Sequence, residues 1–139
     1  MPAKDITLYA VYRMPLKAKW IITDENAATL EESETVCYKY NNETSCKIET
    51  GAMTPKEGYT ISGWTSTQGS IEVEAGNRAQ TTIDKDMEYY SITRKTTAIV
   101  GTFYYGTESD GITETTSSCY LYNGASKCTI KEPLTPTTY

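Results

Sequence analysis

The chain has 139 residues, a net charge of -5 and no histidine. The missing imidazole excludes a Ser-His-Asp triad, a Cys-His dyad and His-ligated zinc or haem. The acidic balance, with a pI near 4.8, argues against nucleic-acid binding through phosphate contacts.

The length allows one ordinary domain or two small ones. Only 38% of residues are hydrophobic and the mean hydropathy is -0.50, so each unit is expected to be thin. Tyr occurs 12 times against one Phe and two Trp, and Thr is abundant. Both Tyr and Thr suit a half-wet pleated surface, so the expected fold is mainly β. No apolar run approaches the ~20 residues that span a bilayer, and no membrane insertion is expected.

In chain order, ITLYAVYR (6–13) alternates apolar and polar positions and predicts a strand. KWIIT (19–23) is a short apolar run, read as a buried strand. DENAATLEESE (24–34) offers Asp24 as an N-cap, but its later counterpart TESDGITETTS is a poor helix, so a loop or single turn is expected. TVCYKYNN (35–42) leads into a turn, followed by SCKIET (45–50). Thr54-Pro55 marks a bend. GYTISGWTS (58–66) reads as a strand broken by Gly63, and IEVEAGN (71–77) alternates as another. MEYYSITR (87–94), TFYYG (102–106) and SSCYLYNG (117–124) follow, the last closing on Asn-Gly, a strong hairpin signal.

These segments recur. KDITLYAVYR (4–13) returns as KDMEYYSITR (85–94), 81 positions later. CYKYNNETSC (37–46) returns as CYLYNGASKC (119–128), 82 positions later, and MTPKEGY (53–59) as LTPTTY (134–139). So long a period suits an array of small globular units rather than a solenoid. The phase divides the chain into 1–13, the closing strand of a preceding repeat; 14–94, a complete repeat; and 95–139, the start of another.

With Asn41-Asn42 as a two-residue turn, Cys37 falls opposite Cys46 in a non-hydrogen-bonded pair, within disulfide reach. Asn123-Gly124 puts Cys119 opposite Cys128 by the same count. Disulfides Cys37–Cys46 and Cys119–Cys128, each stapling a hairpin, are expected; free core thiols are the alternative. The spacing fits neither a four-Cys zinc site nor a C-x-x-C dithiol. Stable disulfides imply an oxidising, extracellular location.

Gly58, Tyr59, Gly63 and Trp64, with Leu8 and Tyr9 in TLYAVY, resemble the motifs of the Listeria–Bacteroides repeat, the internalin B B-repeat family. Ile61 stands at the family's aromatic position and Tyr12 at its usual Trp. The period is longer than the family's usual one, and a Cys-stapled hairpin is not a general family trait. The chain is similar to a Cys-bearing, Tyr- and Thr-rich variant in large surface proteins of gut Firmicutes. The resemblance implies tandem β-grasp-like units on a bacterial cell surface, with no catalytic residues and no cofactor.

Glu31 to Glu34 and Glu72-x-Glu74 are the densest acidic stretches and read as solvated surface. Tyr38, Tyr40, Tyr120 and Tyr122 are candidate ligand contacts, able to stack on a sugar, with sheet packing as the alternative. The expected function is a non-enzymatic spacer, stalk or adhesion module whose partners are neighbouring repeats. The alternatives are an adhesin domain that recognises a host glycan or protein through Tyr, and a phage tail or fibre domain. The phase also invites strand exchange: residues 4–13 are expected to pair with unit 95–139, within the chain or from a neighbouring molecule.

Overall fold

The structure is a computed structural model describing residues 7–107, 109 and 111–131. Its elements are all strands among the described residues. β1 (Arg13–Ile21) turns Leu16, Ala18 and Trp20 inward and Lys17 and Lys19 outward, the period-two pattern of a half-buried strand. After β2 (Ala28–Leu30), β3 (Glu34–Tyr40) returns antiparallel to β1, with Cys37 opposite Leu16. β4 (Cys46–Glu49), β5 (Met53–Pro55), β6 (Tyr59–Thr65) and β7 (Gln80–Ile83) precede β8 (Met87–Lys95). β8 lies parallel to β1, with Tyr89 beside Trp20, and antiparallel to β6.

The resulting sheet has the order β3-β1-β8-β6, two antiparallel pairs joined through a parallel centre. β2 pairs with β5, and β4 with β7, as two-stranded sheets. β9 (Ile99–Thr107) and β10 (Gly111–Cys119) form a separate antiparallel pair.

The core is centred on Trp20, whose ring stacks on Tyr89 at 4.7 Å and meets Trp64 edge-on at 5.0 Å. Such pairs add about 0.5–1.5 kcal/mol beyond their area burial. Leu16, Ile48, Met53, Ile83 and Cys37 close around them. Each indole N–H finds a partner: Trp20 donates to Thr35 Oγ1 at 2.8 Å, and Trp64 to the Gly51 carbonyl at 3.0 Å. Gly51 is required there, because a Cβ would sit 2.7 Å from the Trp20 ring. Gly63 has φ 148° at a β-bulge, where a Cβ would lie 2.6 Å from the Ala75 carbonyl oxygen. The break expected at Gly63 is therefore a bulge that turns Trp64 fully into the core.

Several expectations need correction. Residues 7–12 are not a strand and make no ladder with β9 or β10, so pairing of the closing segment within the chain is not formed among the described residues. The alternation of 71–73 forms no strand either; Ala75 makes only a bridge to Trp64. Residues 24–34 carry β2 rather than a lone turn, because Ala28–Leu30 pairs with β5 while Ala28 and Leu30 pack into the core. Thr54-Pro55 ends a strand, and its counterpart Thr135-Pro136 lies outside the described residues.

Both disulfides form, Cys37–Cys46 and Cys119–Cys128. Their hairpins are not the regular ladders expected. β3 is hydrogen-bonded to β1 and β4 to β7, so the disulfide joins two sheets across the turn. The Cα separations are 5.9 and 6.1 Å, wider than a non-hydrogen-bonded pair of about 4.5 Å.

Candidate functional site

The turn after β3 folds onto the chain entering β1. Asn41 has φ 54°, a left-handed conformation that Asn tolerates better than most residues. Its N–H donates to the Tyr12 carbonyl at 2.9 Å, and its side-chain Oδ1 accepts from the Tyr12 N–H at 3.2 Å. One residue thus satisfies both backbone groups of Tyr12, as a strand partner would. Beside it, the Arg13 guanidinium lies 4.0 Å from the centre of the Tyr38 ring. The turn is closed by Glu43 N–H to Tyr40 C=O at 3.0 Å.

The same arrangement is built again at the end of β8. Asn123 has φ 52°; its N–H donates to the Thr93 carbonyl at 2.8 Å and its Oδ1 accepts from the Thr93 N–H at 3.0 Å. Arg94 lies 3.9 Å over the Tyr120 ring. Ala125 N–H closes the turn on Tyr122 C=O at 3.0 Å. Gly124 follows at φ 80°, giving the two consecutive positive φ values that Asn-Gly predicts. Tyr12, Arg13, Tyr38 and Asn41 thus correspond to Thr93, Arg94, Tyr120 and Asn123, with the same 81- and 82-residue offsets as the sequence repeat.

The chain leaving the two sites differs in length. Arg13 and Leu16 pair with Tyr40 and Cys37 without interruption. Arg94 bridges Tyr122 and Ile99 pairs with Cys119, so the chain between Arg94 and Ile99 carries two extra residues. The extra length lets Thr96 reach β6: its N–H donates to the Gly58 carbonyl at 3.0 Å, and its hydroxyl lies 3.0 Å from that of Thr60. Lys95 N–H donates to the Leu121 carbonyl at 3.0 Å. This stretch is therefore held to the body on one side and to the second turn on the other. A groove of about 290 Å³ opens there, lined by Asp24, Tyr59, Arg94, Leu121, Asn123 and Ser126.

Of the candidate ligand contacts, Tyr38, Tyr40 and Tyr120 are exposed and Tyr122 is half-buried. One ring face of Tyr38 and of Tyr120 is covered by its arginine. Among the motif residues, Gly58 takes φ 87° ahead of β6, Tyr59 is half-buried and Trp64 is in the core. Leu8 and Tyr9 are 86% and 84% exposed, whereas their counterparts in β8 are core or half-buried. The stacking of Arg13 and Arg94 and the side-chain bonds of Asn41 and Asn123 were not foreseen from the sequence. Their recurrence between the two copies was the available signal.

One acidic residue is held tightly. Glu74 accepts from the Ser66 N–H and hydroxyl and from the Thr65 hydroxyl, at 2.8 Å from the last. These bonds, the Ser66 N–H first, hold its carboxyl below the usual range. Burial pushes the Tyr89 phenol up, with Glu74 adding to the shift. No group of three or more His, Cys, Asp or Glu side chains among the described residues is arranged to hold a metal. No helix among them is long and apolar enough to cross a membrane.

Comparison with protein-family models, curated proteins and solved structures finds no match.

Proposed function

We propose that the chain is a non-enzymatic structural module of tandem β-grasp-like units, serving as a spacer or stalk in an extracellular bacterial surface protein. The observation that carries this reading is the twice-built joint. Where one unit's closing segment passes into the next unit's first strand, an Asn turn clasps the backbone and an Arg stacks on a Tyr. A joint repeated in geometry and sequence supports a fixed relation between successive units. The β3-β1-β8-β6 order, with its parallel centre between two antiparallel pairs, supports a β-grasp-like unit lacking the helix. The motif residues around Gly63 and Trp64 support kinship with the Listeria–Bacteroides repeats. The two disulfides support an oxidising, extracellular setting.

Adhesion through Tyr is the less favoured reading, since the arginines occupy one face of Tyr38 and Tyr120. Scattering from chains carrying two, four and six copies of residues 14–94 tests the spacer. Its maximum dimension rises linearly with copy number if the joints are stiff, and roughly as the square root if they are loose. Saturable binding on a glycan or protein array, lost on Tyr38→Ala or Tyr120→Ala, would replace the spacer reading with the adhesin.

A further inference from the structure

The segment 7–12 and strand β9 are each missing what the other's counterpart possesses. Leu8 and Val11 are 86% and 74% exposed, while Tyr89 and Ile92, at the same positions of the repeat, are 5% and 0% exposed. Those two are buried because β8 lies against β1 and β6. β9 is the counterpart of β1, since Ile99 faces Cys119 as Leu16 faces Cys37. That match equates Phe103 with Trp20 and Tyr104 with Ile21. β1 carries β8 along its second edge, but β9 is paired only with β10 among the described residues. The start of a core is already present beneath β9, where Ile130 packs on the Gly101 position, as Ile48 packs in the complete unit.

We propose that the second edge of β9, unpaired among the described residues, accepts residues 7–12 of a second copy of this chain as a parallel strand, with Leu8 beside Phe103 and Tyr9 beside Tyr104. The register is that of Tyr89 beside Trp20 and Tyr90 beside Ile21. The incoming strand supplies the backbone partners that an open edge lacks and covers Phe103 with Leu8. The donor already holds its side of the joint. Its own Arg13, Tyr38 and Asn41 already form the clasp that Arg94, Tyr120 and Asn123 form beyond β8. The junction between two molecules therefore repeats the junction within one. Donor and acceptor are different surfaces, so the contact is head-to-tail and continues into linear chains.

The inference rests on the tandem-unit reading, but its test is separate from scattering on longer covalent arrays. Sedimentation velocity of the oxidised 139-residue chain, from micromolar to sub-millimolar concentration, is expected to show reversible growth to dimers and longer species. Leu8→Lys with Val11→Lys alters only exposed side chains, so the monomer keeps its circular dichroism and melting temperature. Association falls by about tenfold or more, because Leu8→Lys sets a charge against Phe103 and Val11→Lys sets one on the opposite face, at a position buried in β8. A photoreactive residue at position 8 is expected to crosslink to the tryptic peptide containing Phe103 of another molecule. A monomer at every concentration, association unchanged in the double variant, or crosslinks confined to other peptides would each overturn the proposal. A stiff covalent array alongside a strictly monomeric parent would leave the spacer reading standing and remove this one.

Discussion

Asn123 combines a backbone conformation with a carboxamide that reaches back to Thr93, and the two contributions can be separated. Gly at this position keeps the φ of 52° but removes the acceptor for the Thr93 N–H. Thr93 is fully buried, so its amide would be left without a partner. Asn123→Gly is therefore expected to cost about 1–3 kcal/mol locally, the range for a buried unsatisfied donor. Asn41→Gly is expected to cost less, because Tyr12 is exposed and water can replace the bond. Chemical denaturation of both variants checks the order, and equal losses would argue against burial as the cause. The Thr93 side chain presents the opposite case. Its Oγ1 is buried with no hydrogen-bond partner among the described residues. Thr93→Val removes that atom at nearly constant shape, so stability is expected to hold or rise by up to about 1 kcal/mol. A clear loss would mean that the hydroxyl has a partner in solution, such as a bound water.

Single elements were legible in the sequence to different degrees. β6 was legible as a strand broken at Gly63, β8 as the counterpart of residues 6–13, and the Asn turns from their residue types. The ladder partners did not follow. Counting outward from Asn41-Asn42 pairs β3 with β4, yet the hydrogen bonds of β3 go to β1, where Leu16 and Cys37 share the Trp20 core. Local turn chemistry fixed the disulfide but not the sheet, since burial of Trp20 decides between competing partners. The alternation of Ile71 and Val73 misled for a similar reason. Ile71 and Val73 are exposed, and Glu74 instead anchors the segment to Ser66. That anchor has a pH signature. The Glu74 carboxyl is held below its ordinary value of 4.5, so its stabilisation is present above that value. It is lost as pH falls from there through the lowered folded value. The Ser66 amide resonance is expected to titrate with Glu74 in that acid range and to stay still in Glu74→Gln. Titration at or above the ordinary value would contradict the hydrogen-bond account.

At the scale of the whole molecule, the recurrence of order, spacing and residue type in the sequence has a counterpart in the two Asn clasps. The placing of residues 7–12 was not legible: their alternation reads as a strand, yet they make no ladder among the described residues. The disulfides act on different parts. Each closes a loop of about ten residues, worth on the order of 2.5–3 kcal/mol in the chain-entropy model. Both Trp residues lie in the β1–β8 body, so their fluorescence reports on that body alone. Cys37→Ser with Cys46→Ser is expected to destabilise the fluorescence-monitored transition by about that amount. Cys119→Ser with Cys128→Ser is expected to leave it nearly unchanged while loosening β9 and β10. A shift of equal size from the second pair would mean that the two parts unfold as one.

In the proposed spacer, the joint after β8 is a fixed structure made by the Asn123 clasp. Native-state hydrogen exchange at the Thr93, Lys95 and Asn123 amides tests it most directly, since each is donated across the joint. Protection of all three close to that of the β6–β8 ladder, lost together in Asn123→Gly while Trp20 and Trp64 stay protected, is the result this structure predicts. Unprotected exchange of Lys95 and Asn123 in the parent chain, beside a fully protected β1–β8 body, would contradict it.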